Sequence, residues 1–259
     1  MKLNKTAYFL MSLVLPFFIV SCGAWNVSYP KEKLNEILAD MVKKDTGVDA
    51  VVEKFGRTLY LDMQLKDLTS NEADKVNEAV RKMQSAVLAI TRVVLSSDSE
   101  IKYMAVSAFD DDKQVLFRIV QNIDDVKNYM HMRISRGDYE TRNLLEIEGP
   151  DTAPASIDGK HDISDGEYVA RMIISQVNMS ARTNPFLGVL ISMLNLRYLA
   201  IEEDNLVYLS ADISDDKVKD FIVNIISRQA REYSEKYSLN FKNVAIQNSK
   251  GERILDIKL

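Results

Sequence analysis

The side chains that could carry acid–base or metal chemistry are few and widely spaced. The chain holds one cysteine and two histidines, and His131 and His161 lie thirty residues apart outside any HExxH zinc frame. Four carboxylates fall within residues 158–167, but their spacing does not follow the calcium-loop pattern and Lys160 interrupts them. Glycine-rich phosphate loops and a GxSxG nucleophile motif are missing from the sequence. We therefore expect no metal, no cofactor and no catalytic residue, although enzymatic activity stays an open alternative.

Charged residues between positions 133 and 142 are a second candidate. Arg133, Arg136 and Arg142 could line a groove for an anionic ligand, although we favour a solvated helix face. The tripeptide beginning at Arg136 spells an integrin-type motif, but three residues are a weak signal, and Gly137 is expected to break a helix there.

The single cysteine, Cys22, follows a segment with the features of a secretory signal. Lys2 and Lys5 precede the apolar stretch 7–20. Its fourteen residues would rise only about 21 Å as a helix, short of the roughly 30 Å hydrocarbon core of a bilayer. We therefore expect a signal peptide rather than a spanning helix.

The residues around the cysteine, Ile19-Val20-Ser21-Cys22-Gly23, resemble the lipobox of bacterial lipoproteins. That resemblance implies cleavage between Ser21 and Cys22, a lipid on Cys22, and attachment to a membrane on its periplasmic face. It also favours the outer membrane in a source with two membranes, because Gly23 stands where the family's inner-membrane retention signal has Asp. The resemblance covers about 22 residues and implies nothing about the rest of the chain, which matches no family.

Composition indicates a folded, soluble domain. Of 259 residues, 46% are hydrophobic and 27% are charged, with only nine glycines and five prolines. The formal net charge is −5, and removal of the two signal-peptide lysines makes it −7. That balance gives no reason to expect nucleic-acid binding.

Hydrophobic periodicity predicts an α+β fold of two repeated ββαββ units with antiparallel sheets, around a central helical insert. Leu59-Tyr60-Leu61 and Val207-Tyr208-Leu209 occupy equivalent places in the two units, although two similar but unrelated halves stay an alternative. The predicted segments are a signal peptide (1–21), a lipidated tether (22–30), a first αββαββ unit with a trailing helix (31–148), a linker (149–164), a helical insert (165–199) and a second ββαββ unit (198–259).

Within these segments, helix starts and turns are predicted from capping residues. Residues 69–72 and 164–167 read as capping boxes, and Ser214 as the cap of the last helix. A helix is expected over 124–142, and Asp110–Asp112 is expected to form a hairpin turn.

The helix predicted over 186–199 is apolar almost all round, so something must cover it. Burial between the two units is one interpretation. A surface for a partner or ligand is the other, and its candidate residues are Phe186, Leu190, Met193 and Leu194.

The function we expect from the sequence is a lipid-anchored envelope protein with a non-catalytic binding or scaffold role. Its partners would be the membrane, through the lipid, and another envelope component. Two alternatives stay open: a hydrolase acting on cell-wall or lipid substrates, and a carrier or sensor of a small apolar ligand.

Overall fold

The structure is a computed structural model, and it describes residues 29–68, 70–110, 115–148, 160–183, 196–202, 205–210, 213 and 215–259. These residues form six α-helices and two sheets, of five and four strands, so the predicted α+β class is confirmed. The chain divides into two compact units. Unit 1 comprises Met1–Asp151 with Lys160–Asp162, and unit 2 comprises Thr152–Gly159 with Ile163–Leu259.

Unit 1 begins with a 3-10 turn at Lys31–Lys33, and its five strands are joined or flanked by four helices. In chain order these elements are α1 (Leu34–Thr46), β1 (Ala50–Phe55), β2 (Thr58–Gln64), α2 (Ala73–Leu95), β3 (Tyr103–Asp110), β4 (Val115–Asn122), α3 (Ile123–Met130), α4 (Arg136–Thr141) and β5 (Leu144–Glu148).

Unit 2 holds two helices and four strands in its described part: α5 (Asp165–Thr183), β6 (Arg197–Glu202), β7 (Asn205–Leu209), α6 (Asp216–Tyr237), β8 (Asn243–Gln247) and β9 (Arg253–Lys258). Helix α5 packs against α6 and against β6. None of the described helices is long and apolar enough to cross a membrane.

Both sheets are mixed, so the prediction of antiparallel sheets is wrong. In unit 1 the strands lie in chain order, and β2 pairs with β3 in parallel while the other three pairings are antiparallel. In unit 2, β7 pairs with β8 in parallel between two antiparallel pairings. The physical reason is that a helix lies between the two strands of each parallel pair, and it carries the chain back to the end of the sheet at which the first strand began.

One face of the unit 1 sheet packs against α1 and α2. The predicted apolar stripe of α2 is buried throughout, because residues three and four positions apart share one face of a helix. It shares a core with alternate residues of β2 and with α1. The side chains of this stripe are Val76, Val80, Met83, Val87, Ile90 and Val94.

The predicted helix caps had mixed outcomes. Ser164 accepts a hydrogen bond from the backbone N–H of Glu167 at 3.1 Å, as predicted for α5. At α2 the prediction is wrong: the helix begins at Ala73 after Glu72, which makes no capping hydrogen bond, and Thr69 lies outside the described residues. At α6 the cap is Asp215, whose carboxylate accepts from two backbone N–H groups, and Ser214 lies outside the described residues.

The predicted helix 124–142 is two short helices, α3 and α4. The break falls where Met132 adopts a left-handed backbone (φ 56°), and Gly137 lies inside α4 rather than at a break. Strand β5 was not predicted at all. The predicted end of the apolar helix is also wrong, because residues 197–199 belong to β6.

Candidate functional site

The site residues predicted from the sequence lie outside the described residues. Ser21 and Cys22 precede residue 29, and Phe186, Leu190, Met193 and Leu194 fall in the undescribed range 184–195. The lipidation site and the apolar surface therefore stay predictions. Residues 111 and 112 of the expected hairpin turn also lie outside the description, as do 149–159 of the linker.

The other chemistry-bearing residues of the sequence are either exposed or held by structural partners. His131 is exposed at the end of α3, while the main chain of His161 bonds to the hydroxyl of Tyr60. Glu167 pairs with Arg171 at 3.1 Å within α5, and both side chains are buried. Within the described ranges, no three His, Cys, Asp or Glu side chains come together in an arrangement that could hold a metal ion.

The sequence favoured a solvated helix face for Arg142, and this prediction is wrong. Its guanidinium binds Asp125 at 2.8 Å and Asp138 at 2.9 Å, with only 13% of its side chain exposed. Beside these three residues, Tyr139 stacks on Tyr129, and burial raises the pKa of the Tyr139 hydroxyl. We call Arg142, Asp125 and Asp138 the arginine cluster. It ties α3 to α4.

The first candidate site is a row of polar side chains across the second face of the unit 1 sheet. Asp62, Ser107, Arg118 and Glu146 pair in register on β2, β3, β4 and β5, so their side chains point to the same face. We call these four residues the polar row. The neighbouring row on the same face is almost fully buried, and it consists of Tyr60, Ala105, Val120 and Leu144.

The charged side chains of the polar row have partners within the protein. Arg118 donates from Nε to the hydroxyl of Ser107 at 3.1 Å, and its guanidinium lies 3.9 Å from Glu146. At the other end, Asp62 Oδ2 pairs with Lys160 at 2.6 Å, while Asp62 Oδ1 is buried and accepts no hydrogen bond from the described residues. Burial opposes the charge of Lys160, but hydrogen bonds to Asp62 and Glu53 outweigh it and raise the pKa of the ammonium group.

The polar row holds its side chains in fixed positions, but it exposes no nucleophile to a substrate. Ser107 is 2% exposed, and its oxygen already accepts from Arg118. A catalytic serine needs a base within hydrogen-bond reach and access for the substrate. The polar row therefore fits a structural role better than a catalytic one.

A short segment, Lys160–Asp162, is docked beside this row, and we call it the docked tripeptide. Tyr60 donates its hydroxyl to the carbonyl of His161 at 2.9 Å, and the backbone N–H of Arg57 donates to Asp162 at 2.8 Å. Gly56 leaves the room for this contact, since a Cβ there would lie 2.4 Å from the carboxyl carbon of Asp162. Its left-handed backbone (φ 54°) also favours glycine.

The second candidate site is a pocket of about 260 Å³ at the C-terminal end of β2, beside the first three turns of α2. We call it the lysine pocket, because three lysines line it together with two carboxylates, an amide and an apolar wall. Its lining residues are Val48, Gln64, Leu65, Lys66, Asp67, Lys75, Glu78, Ala79 and Lys82.

The ion pairs of the lysine pocket are open to solvent. Lys75 pairs with Glu72 and Lys82 with Glu78, each at 2.8 Å, and 34–67% of these side chains is exposed. The hydrogen bond to Glu72 raises the pKa of Lys75, and the hydrogen bond from Lys82 lowers the pKa of Glu78. Lys66 forms no ion pair with the described residues. Exposed pairs of this kind add little to stability, so a ligand can replace them.

Sequence reasoning missed the lysine pocket. The available signal was the spacing of Lys75 and Lys82, since seven residues place two side chains on the same face of a helix. Lys66 is brought to them by the turn between β2 and α2, where Asp67 adopts a left-handed backbone (φ 68°). Hydrophobic periodicity does not predict a turn of this kind.

The chain matches no family model, no curated protein and no solved structure. What the protein does is therefore inferred from the lysine pocket and the polar row themselves.

Proposed function

We propose that the protein is a lipoprotein anchored to a bacterial membrane through Cys22, with a non-catalytic folded part that binds another component of the cell envelope. The observation that carries the binding role is the lysine pocket. It presents three ammonium groups around one cavity, on a chain whose net charge is −5. Lys66 forms no ion pair with the described residues, and the ion pairs of Lys75 and Lys82 are exposed, so these cations are available to an anionic ligand.

The contrast between the two candidate sites supports binding over catalysis. The charged groups of the polar row have partners within the protein, and Ser107 is buried. The lysine pocket keeps cations exposed, and Lys66 has no counter-charge among the described residues. An exposed cation at a concave surface is available to a ligand without breaking the fold.

Replacing Lys66, Lys75 and Lys82 together by glutamate tests the binding role. Affinity purification from detergent-solubilised envelopes is expected to lose the captured envelope component with this variant. A matched control replaces three exposed lysines away from the pocket, Lys54, Lys250 and Lys258, by glutamate and is expected to keep it. Equal recovery with both variants, or no captured component with the native protein, would contradict the binding role.

Replacing Cys22 by Ser tests the anchor. The native protein is expected to incorporate a clickable fatty-acid label in growing bacteria, and C22S is expected to lose it, because the thiol is the group that accepts the lipid. G23A serves as the control and should keep the label. Labelling retained in C22S would exclude the lipobox assignment.

We also propose that the two units are copies of one αββαββ element, in which α5 corresponds to α1 rather than to an insert. This proposal is supported by the shared pairing pattern, antiparallel, parallel and antiparallel over four strands in chain order. It is also supported by the packing of α1 on α2 and of α5 on α6. An experimental structure in which β7 and β8 do not pair in parallel would overturn it.

A further inference from the structure

The lysine pocket has features that select among anionic groups, and we infer that its ligand is a phosphodiester with a small polar headgroup, such as a glycerol phosphodiester. This inference rests on the proposed anion-binding function and names its substrate class. The charge of the pocket, its volume and the backbone conformation of the turn that carries Lys66 each support this inference.

Charge favours a singly charged ligand. Three ammonium groups and two carboxylates line the pocket, and Glu72 beside it pairs with Lys75. Lys82 pairs with Glu78, so Lys66 is the one lining lysine without an ion pair among the described residues, and a single ammonium group matches one negative charge. A phosphodiester carries one negative charge that is spread over two oxygens, and compact lysine ammonium groups bind phosphate oxygens as point charges. The cations are all lysines, and a phosphodiester offers their three ammonium groups four oxygens in a tetrahedral arrangement, whereas a carboxylate offers two oxygens in one plane.

Size and wall chemistry favour a headgroup. A volume of about 260 Å³ lies below the range of roughly 300–1,000 Å³ that holds drug-sized ligands. This volume suits a phosphate with a few carbons better than a long acyl chain. Val48, Leu65 and Ala79 supply an apolar wall for those carbons, and Gln64 supplies an amide for a hydroxyl group.

The turn that carries Lys66 is held in an unusual conformation. Asp67 has a left-handed backbone (φ 68°), and its carbonyl accepts from the N–H of Ser70 at 3.1 Å. Asp tolerates this region better than most residues do, but the conformation is still unfavourable. The strained turn brings Lys66 to the pocket that Lys75 and Lys82 also line, so a ligand bound there can contact all three lysines.

Two sources could supply this chemistry, the headgroup of a membrane lipid and a phosphodiester that carries no acyl chains. The predicted tether, residues 22–30, enters unit 1 beside the C-terminal end of α2, where the N–H of Tyr29 donates to Ser96 at 2.9 Å. The lysines of the pocket lie about 20–30 Å away along that helix. The seven residues before Tyr29, 22–28, extend at most about 25 Å. Both sources are therefore within reach.

The test is calorimetric titration of the full lipidated protein in a non-ionic detergent. Glycerophosphoglycerol is the phosphodiester probe, and glycerate is a carboxylate of equal charge. We expect the phosphodiester to bind at least about tenfold more tightly. The triple variant K66Q, K75Q and K82Q should lose that binding, whereas K54Q, K250Q and K258Q should keep it. Circular dichroism melts establish that both variants are folded.

The outcomes separate this inference from the proposed function. Equal affinity for glycerate would overturn the phosphodiester assignment and leave anion binding at the pocket in place. Binding of neither probe, with envelope capture still dependent on the pocket lysines, would likewise overturn only the phosphodiester assignment. Binding of neither probe, with capture independent of those lysines, would overturn both. A short-chain phosphatidylglycerol that binds more tightly than glycerophosphoglycerol identifies a membrane lipid as the source, and equal binding identifies a phosphodiester without acyl chains.

Discussion

Unit 1 uses charged side chains in two contrasting ways. In the arginine cluster, Arg142 is 13% exposed and binds two carboxylates within 2.9 Å. In the lysine pocket, Lys75 and Lys82 are 49% and 34% exposed, and Lys66 has no ion pair among the described residues. A buried charge destabilises the folded protein unless it is paired, so the partners of a buried charge have a structural role. An exposed charge is free of that demand and can serve a ligand.

The largest effect expected from this comparison comes from replacing Arg142 by Met. The change keeps most of the side-chain volume but removes the guanidinium from Asp125, whose side chain is 6% exposed. Removing one partner of a buried pair typically destabilises a protein by about 3–5 kcal/mol. We expect a loss of that size in the free energy of unfolding, measured by urea denaturation.

The double variant R142M and D125N separates charge burial from packing. It removes the carboxylate that Arg142 leaves behind, so it should recover a substantial part of the lost stability. A double variant no more stable than R142M would show that packing, rather than the loss of the ion pair with Asp125, determines the effect.

The next effect concerns the docked tripeptide. In Gly56→Ala, the new Cβ would meet the carboxyl group of Asp162 at 2.4 Å and force a left-handed backbone on alanine. The backbone alone costs about 1 kcal/mol, and displacing a carboxylate from the N–H of Arg57 adds a similar amount. We expect a loss of about 2–3 kcal/mol in a thermal or urea melt.

Gly47→Ala is the matched control. Gly47 also has a left-handed backbone (φ 71°), but a Cβ there would meet nothing within 4 Å. Its cost should therefore be about 1 kcal/mol. If both substitutions destabilise the protein equally, the docked tripeptide contributes nothing measurable at Gly56.

A smaller effect is expected at the polar row. Arg118→Met removes the donor to Ser107 and the partner of Glu146, whose side chain is 13% exposed. Because the ion pair is 3.9 Å long and Glu146 keeps some access to water, we expect a loss of about 1–2 kcal/mol in urea denaturation. Arg118→Lys keeps the positive charge and should restore part of it. No loss in Arg118→Met would mean that the row does not stabilise the sheet.

The sequence predicted those parts of the fold that local periodicity determines. The buried stripe of α2 and the α+β class follow from residue spacing alone. Strand β5 was missed because it is a five-residue edge strand that exists through its pairing with β4. The parallel pairing of β2 with β3 could have been inferred, because a single helix joins them.

The candidate site was harder to predict, and the reason is physical. Lys66 lies on the turn after β2, while Lys75 and Lys82 lie on α2, so only the geometry of the turn at Asp67 brings them together. The same holds for Arg142. Its position suggested a solvated helix face, and its burial depends on how α4 packs beside α3. Tertiary contacts therefore decide which charges are structural and which are available.

The smallest expected effect on stability is at Lys66, and it is the sharpest test of the comparison. Lys66→Met is the counterpart of Arg142→Met, since both replace a cation by the same apolar side chain. Lys66 is exposed and has no ion pair within the described residues, so the free energy of unfolding should change by no more than about 0.5 kcal/mol.

Binding of glycerophosphoglycerol to Lys66→Met should nevertheless be severalfold weaker in calorimetry. In the native protein, this binding should weaken as salt rises from 0.1 M to 1 M, because the screening length falls from about 10 Å to 3 Å. A large loss of stability in Lys66→Met would place this lysine with the structural charges. Salt-independent binding would remove the electrostatic basis of the pocket, and the distinction between buried and available charges would then have to be drawn elsewhere in the chain.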